Sequence, residues 1–247
     1  MSFARKCQEH QSSGLPRGIS LSSLLADFAM REFDQKVKLL PSCCYYCRYV
    51  DDILVVTTND KISAFEEMQK FLPTGLRLNP KKTEYRCVGD SDWIEFLGYS
   101  IYLADSKKVR IASSKIAKAK KRITLAFKTF LLDRNFGMLR SRLQFLSTNT
   151  IMTMYSREKP IVVGHRYSYS IAPETEVTSQ MVLLDRFYYG LLNSKRFYVS
   201  KKLRSLLVPG QKRDLETFSF LQGYKLKITF ERKASEIAEI KEAWRHA

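Results

Sequence analysis

Two adjacent carboxylates, Asp51 and Asp52, lie between short apolar, β-branched runs in Arg48-Tyr49-Val50-Asp51-Asp52-Ile53-Leu54-Val55-Val56. Such runs around an acidic pair predict a β-hairpin with its acids at the tip. Phosphoryl transfer that uses two divalent ions needs clustered carboxylates of this kind. The structural alternative is turn chemistry alone, because Asp tolerates turn dihedrals and caps its own backbone. Upstream, Gly14-Leu15-Pro16-Arg17-Gly18 is a Gly/Pro-punctuated loop opening a helix. Backbone N–H groups at a helix start suit a triphosphate, and Arg17 adds charge; the alternative is an ordinary helix entry. Downstream, Asn79-Pro80-Lys81-Lys82-Thr83 is a loop with paired lysines.

The elements that must carry these residues follow from periodicity. Leu21, Leu24, Leu25, Phe28 and Ala29 recur at helical spacing and continue to Phe33 and Val37, with Ser20 as the N-cap. The hairpin is expected from about Tyr45 to Thr57. Thr58-Asn59-Asp60 caps a second helix with Ile62, Phe65, Met68 and Leu72 on one face, closed by Pro73. Short strands are expected at Leu76 to Leu78 and Glu84 to Val88. One longer strand from Trp93 to Tyr102 turns at Asp105-Ser106-Lys107 into Val109-Arg110-Ile111. From Lys107 to Lys128 there are nine Lys or Arg and no acid, while Ala119, Ile123, Ala126 and Phe130 repeat at helical spacing. Ser113 and Ser114 offer caps there. Further helices are expected at 137–150, 181–193 and 231–247, with 158–172 extended or irregular. This order predicts an α+β chain: an antiparallel sheet with helices on one face, then a mainly helical region.

Composition bounds the partners. Lys and Arg outnumber Asp and Glu by 42 to 25, and a net charge of +17 favours a polyanion, nucleic acid first. No apolar run approaches the ~20 residues of a membrane span, and Ser2-Phe3-Ala4-Arg5-Lys6 is no signal-peptide core, so a cytoplasmic location is expected. Five cysteines argue against a disulfide framework. Cys43, Cys44 and Cys47 lack a partner completing zinc-like spacing and are expected to be buried thiols.

In order along the chain, Gly14-Leu15-Pro16-Arg17-Gly18, Tyr49-Val50-Asp51-Asp52, Asn79-Pro80-Lys81-Lys82-Thr83 and Phe96-Leu97-Gly98-Tyr99 resemble the motifs of reverse transcriptases. The resemblance implies a partial polymerase palm over 1–111 and a helical thumb and C-terminal region over 112–247. It makes Asp51 the firmer Mg²⁺ ligand and Asp52 the supporting one, with Tyr49 and Val50 near the primer terminus. Pro16, Arg17 and Gly18 would line the incoming dNTP, although many members carry Gln where this chain has Arg17. Lys82 becomes a proton donor to the pyrophosphate leaving group, or else one more solvated lysine. Phe96, Leu97, Gly98 and Tyr99 correspond to the primer grip, where Gly98 admits the primer backbone. Lys115, Lys118, Lys121 and Arg122 fall where the thumb begins and would line phosphates of RNA template and DNA primer. Arg142-Leu143-Gln144-Phe145-Leu146-Ser147-Thr148-Asn149 and Val162-Val163-Gly164 look like segments of bacterial antiviral, abortive-infection-type members.

The family's first catalytic Asp precedes the Gly/Pro loop by several tens of residues, and Asp27 and Asp34 lack strand context to replace it. The expectation is therefore a palm and thumb portion, inactive alone, that either is a truncated product or receives its first catalytic strand and fingers from another polypeptide. The alternative is a truncated polymerase or a catalytically inactive nucleic-acid-binding subunit.

Overall fold

The computed structural model describes residues 20–87, 89, 93–103, 105, 108–153 and 160–245. The Gly14 to Gly18 loop, with Pro16, Arg17 and Gly18, lies outside them. The chain forms two compact units, Met1–Val88 and Gly89–Ala247.

In the first unit, helix α1 (Ser20–Lys38) precedes an antiparallel hairpin, β1 (Cys43–Tyr49) and β2 (Asp52–Thr57), and helix α2 (Lys61–Phe71) follows. Met30, Phe33 and Val37 of α1 form its core against Tyr46, Ile53 and Met68. The apolar stripe expected on α1 is buried only in its second half. Leu24 and Phe28 are 65% and 73% exposed, because the hairpin and α2 cover the later turns alone. Asp60 caps α2 by accepting from the Ile62 and Ser63 N–H groups at 2.9 and 3.1 Å.

The strands expected at Leu76 to Leu78 and from Glu84 onward do not form among the described residues. A helix side chain takes the place of a partner strand. Gln69 of α2 accepts from the Leu78 N–H at 3.0 Å and donates to the Leu76 carbonyl at 3.5 Å. These backbone groups are thus paired without a ladder.

The second unit opens with the antiparallel sheet β3 (Trp93–Phe96), β4 (Tyr99–Tyr102) and β5 (Val109–Ile111). The single strand expected from Trp93 to Tyr102 is instead two strands folded at Leu97-Gly98, with φ of +51° and +85°. Positive φ at both central residues is the hairpin geometry that matches strand twist. Helix α3 (Ser113–Asp133) follows at once. The expected caps Ser113 and Ser114 are donors here: the Glu95 carboxylate accepts from the Ser113 N–H and from both hydroxyls. These bonds hold the Glu95 carboxyl below its ordinary range.

Beyond α3 run α4 (Phe136–Ser147), β6 (Asn149–Thr153), β7 (Ile161–Val163), α5 (His165–Ser168), α6 (Glu174–Asn193), α7 (Tyr198–Leu206), α8 (Pro209–Glu216), α9 (Phe220–Lys225), β8 (Thr229–Lys233) and α10 (Ala234–Glu242). The core gathers Ile123 and Phe127 of α3, Leu143 of α4, and Met181, Leu184 and Tyr188 of α6. Phe127 and Tyr188 stack at 5.8 Å. Tyr99, Val109 and Ile111 of the β3–β5 sheet pack into this same core.

The helices expected at 137–150 and 231–247 form as α4 and α10, but each yields one end to a strand, because β6 pairs antiparallel with β7 and parallel with β8. Asn149 is buried and its amide donates to the Ile228 and Gly223 carbonyls at 3.1 and 3.4 Å. Gly223 presses on the end of α4: a Cβ there would lie 1.9 Å from the Ser147 carbonyl oxygen. Gly223→Ala is therefore expected to destabilise this unit by about 3 kcal/mol, since a backbone contact cannot swing aside. A thermal melt compared with that of Gly210→Ala, whose added Cβ meets nothing within 4 Å, checks this. The chain as a whole is α+β, with small, mostly antiparallel sheets and a mainly helical second half.

Candidate active site

Asp51 and Asp52 stand at the tip of the β1–β2 hairpin, both exposed. Tyr49 pairs with Asp52, so Val50 and Asp51 make a two-residue turn. Of these two, Val50 alone has positive φ, +57°. A turn of that kind ordinarily takes Gly at its first central position. A β-branched residue there stores roughly 1–3 kcal/mol of strain, so its surroundings must hold it in place.

Arg48 supplies that restraint. Its guanidinium donates to the Val50 carbonyl at 2.9 Å, to both oxygens of Asp34 at 2.8 Å, and to Asp27 at 3.1 Å. The Tyr46 hydroxyl also donates to Asp34. The Arg48 side chain is 7% exposed and that of Asp34 20%. Hydrogen bonding from Arg48 holds the Asp34 carboxyl below the usual carboxylate range, against the opposing effect of burial; Tyr46 adds to the lowering. The periodicities make this possible. Asp27 and Asp34 are seven residues apart on one face of α1, and Tyr46 and Arg48 share one face of β1.

The cation nearest the acidic pair in sequence is thus committed elsewhere. Asp51 and Asp52 take part in no ion pair among the described residues, and two free carboxylates suit a hard cation such as Mg²⁺. Still, no group of three or more His, Cys, Asp or Glu among the described residues is placed to hold a metal. The donor set therefore fits the beginning of a two-ion site and needs a further carboxylate to complete one. Nor are the hairpin thiols buried as expected: Cys43 and Cys47 are half-buried and Cys44 is exposed, because β1 belongs to a two-stranded sheet.

Lys82 is exposed on a turn whose N–H groups at Lys82 and Thr83 donate to the Asn79 carbonyl. In the second unit, the Phe96 to Tyr99 turn lies against the start of α3. The Gly98 carbonyl accepts from the Ala112 N–H at 2.9 Å, and a Cβ on Gly98 would sit 2.9 Å from Lys115 Cε. Lys115, Lys118 and Lys121 are exposed. Arg122 differs, with its guanidinium 5.9 Å over the Trp244 ring and half withdrawn from solvent.

Sequence reasoning dismissed Asp27 and Asp34 as substitute catalytic acids and passed over Arg48. The seven-residue spacing of two acids on a helix before a lone strand arginine was the available signal.

An α+β chain with a paired-carboxylate hairpin of this kind is polymerase-like in class. Residues 2–101, less than half of the chain, match the family described as reverse transcriptase (RNA-dependent DNA polymerase). Over that segment the chain is similar to reverse transcriptases, nucleotidyltransferases that generally use a divalent metal with nucleic-acid template, primer and dNTPs. No curated protein and no solved structure matches it.

Proposed function

We propose that the chain is the palm and thumb portion of an RNA-directed DNA polymerase, with residues 1–111 as partial palm and 112–247 as thumb and C-terminal region. One observation carries this reading: two exposed carboxylates, in no ion pair among the described residues, at the tip of a braced hairpin inside the matched segment. Asp51 and Asp52 hold Mg²⁺, which would activate the primer 3′-hydroxyl and stabilise the departing pyrophosphate. Tyr49 and Val50 lie by the primer terminus; Pro16, Arg17 and Gly18 line the dNTP; Lys82 protonates the leaving group. Phe96 to Tyr99 grip the primer. A role in antiviral defence accords with the 142–149 and 162–164 segments, and the location proposed is the cytoplasm. No described helix is long and apolar enough to cross a membrane.

The further carboxylate comes from outside the described residues, on a strand that a second polypeptide can supply. Primer extension on an RNA template, by the 247-residue chain alone and with such a polypeptide, tests the reading. Extension that appears on assembly supports it. The small donor set also favours a second reading, a nucleic-acid-binding subunit without catalysis. Assembly that binds primer–template yet never extends it selects that one.

The exposed lysines of α3 bind backbone phosphates without reading sequence, since they offer charge but no base-edge geometry. Replacing Lys115, Lys118 and Lys121 with Ala is expected to flatten the dependence of log affinity on log salt by about 2–3 units on duplex, at roughly 0.9 per phosphate contact. An unchanged slope removes α3 from the binding surface.

A further inference from the structure

From Arg186 to Arg213 the chain has no Asp or Glu, and ten residues within it, Lys195 to Arg204, carry five cations and two aromatic rings. The structure turns this segment outward. Lys195, Arg196, Lys201 and Lys202 are exposed, and Phe197 and Tyr198 are 60% and 69% exposed. On α7, Tyr198, Lys201 and Lys202 lie at i, i+3 and i+4, hence on one face, with the Lys202 ammonium 5.8 Å from the Tyr198 ring centre. The opposite face is spent on the fold. Leu203 and Ser200 are fully buried, and the Ser200 hydroxyl donates to the Leu191 carbonyl. In this unit Arg140 is paired with Asp214 and Lys212 with Glu216, whereas these four lysines and arginines take part in no ion pair among the described residues.

We propose that Lys195, Arg196, Phe197, Tyr198, Lys201 and Lys202 form a binding surface for single-stranded nucleic acid. Unneutralised cations recruit a polyanion, and exposed rings beside them offer stacking platforms that unpaired bases can use. Bases of a duplex have their faces covered by their neighbours, so the rings gain nothing from one. A basic amphipathic helix can also lie on an anionic membrane, but that mode inserts the apolar face into lipid. Here that face is occupied by the protein's own core. The surface shares no residue with the acidic pair or with the α3 lysines, so its test does not depend on the polymerase reading.

Fluorescence anisotropy of the full chain with a labelled 12-nucleotide RNA, the same RNA as a duplex, and vesicles containing phosphatidylserine tests the proposal. Two variants are compared: one with Lys195, Arg196, Lys201 and Lys202 changed to Ala, the other with Phe197→Ala and Tyr198→Ala. All six side chains are exposed, and circular dichroism confirms that each variant keeps its helices. The charge variant is expected to flatten the single-strand salt slope by about 2–3 units, at roughly 0.7 per contact. The aromatic variant is expected to weaken single-strand binding at fixed salt by about tenfold or more, with the slope kept and duplex affinity unchanged. Single-strand binding unaffected by both variants overturns the proposal. So does equal loss on duplex and single strand with no aromatic effect, or loss confined to vesicles.

Discussion

Asp51→Asn is expected to lower Mg²⁺-dependent primer extension by about a thousandfold in any assembly that extends primers, while the hairpin stays folded. The substitution keeps the size and turn propensity of the residue. It removes the charge that holds the cation, and transition-state stabilisation by a bound metal is worth several kcal/mol, with each 1.36 kcal/mol a factor of ten in rate. Folding should be indifferent, because Asp51 makes no ion pair among the described residues and its side chain faces solvent. Single-nucleotide incorporation rates, read beside hydrogen exchange of the β1 and β2 amides, separate the two outcomes. Extension at the normal rate by Asp51→Asn would falsify the assignment and leave the hairpin a structural turn.

The second large effect is expected at Arg48. Arg48→Met removes the donor to Asp34, Asp27 and the Val50 carbonyl and leaves the Asp34 carboxylate largely buried against Tyr46 alone. Breaking a buried ion pair from one side costs about 3–5 kcal/mol, and Asp34 retains enough exposure to bring the figure to about 2–3 kcal/mol. The strained turn then loses its tether as well. Hydrogen exchange of the hairpin amides should quicken by about 30- to 100-fold, while α4 and α6 exchange as before. The pH dependence has a definite sign. The Asp34 carboxyl lies below its ordinary 3.8 in the folded chain, so its contribution is complete above that value. It is lost as pH falls through the lower, folded value. Hairpin protection should therefore fade on acidification in the wild type and stay flat across that window in Asp34→Asn.

How far the sequence discloses this molecule depends on whether local or distant chemistry decides each element. The acidic hairpin, α1, α2 and α3 are legible because the apolar period lies within each segment, as does the Asp60 cap of α2. Leu76 to Leu78 misleads because its hydrogen bonds go to the Gln69 side chain, which periodicity does not register. Thr229 to Lys233 misleads because its partner, β6, is distant in sequence. At the candidate site the two carboxylates are plain, while the brace is hidden in a residue three positions earlier. Arg48 is a lone basic residue on a strand until Asp27 and Asp34 are folded against it.

The parallel pairing of Asn149 with Thr229 has a consequence in time. During synthesis β6 leaves the ribosome long before β8, and β7 covers only one of its two edges. Until Gly223 and Ile228 arrive, the Asn149 amide lacks both carbonyls that receive it. The half of the chain that carries the basic helix must therefore wait in a partly open state, with one strand edge free to pair with another chain. Nascent chains are most at risk of sticking to one another over that interval. The interval closes only when Thr229 to Lys233 has emerged.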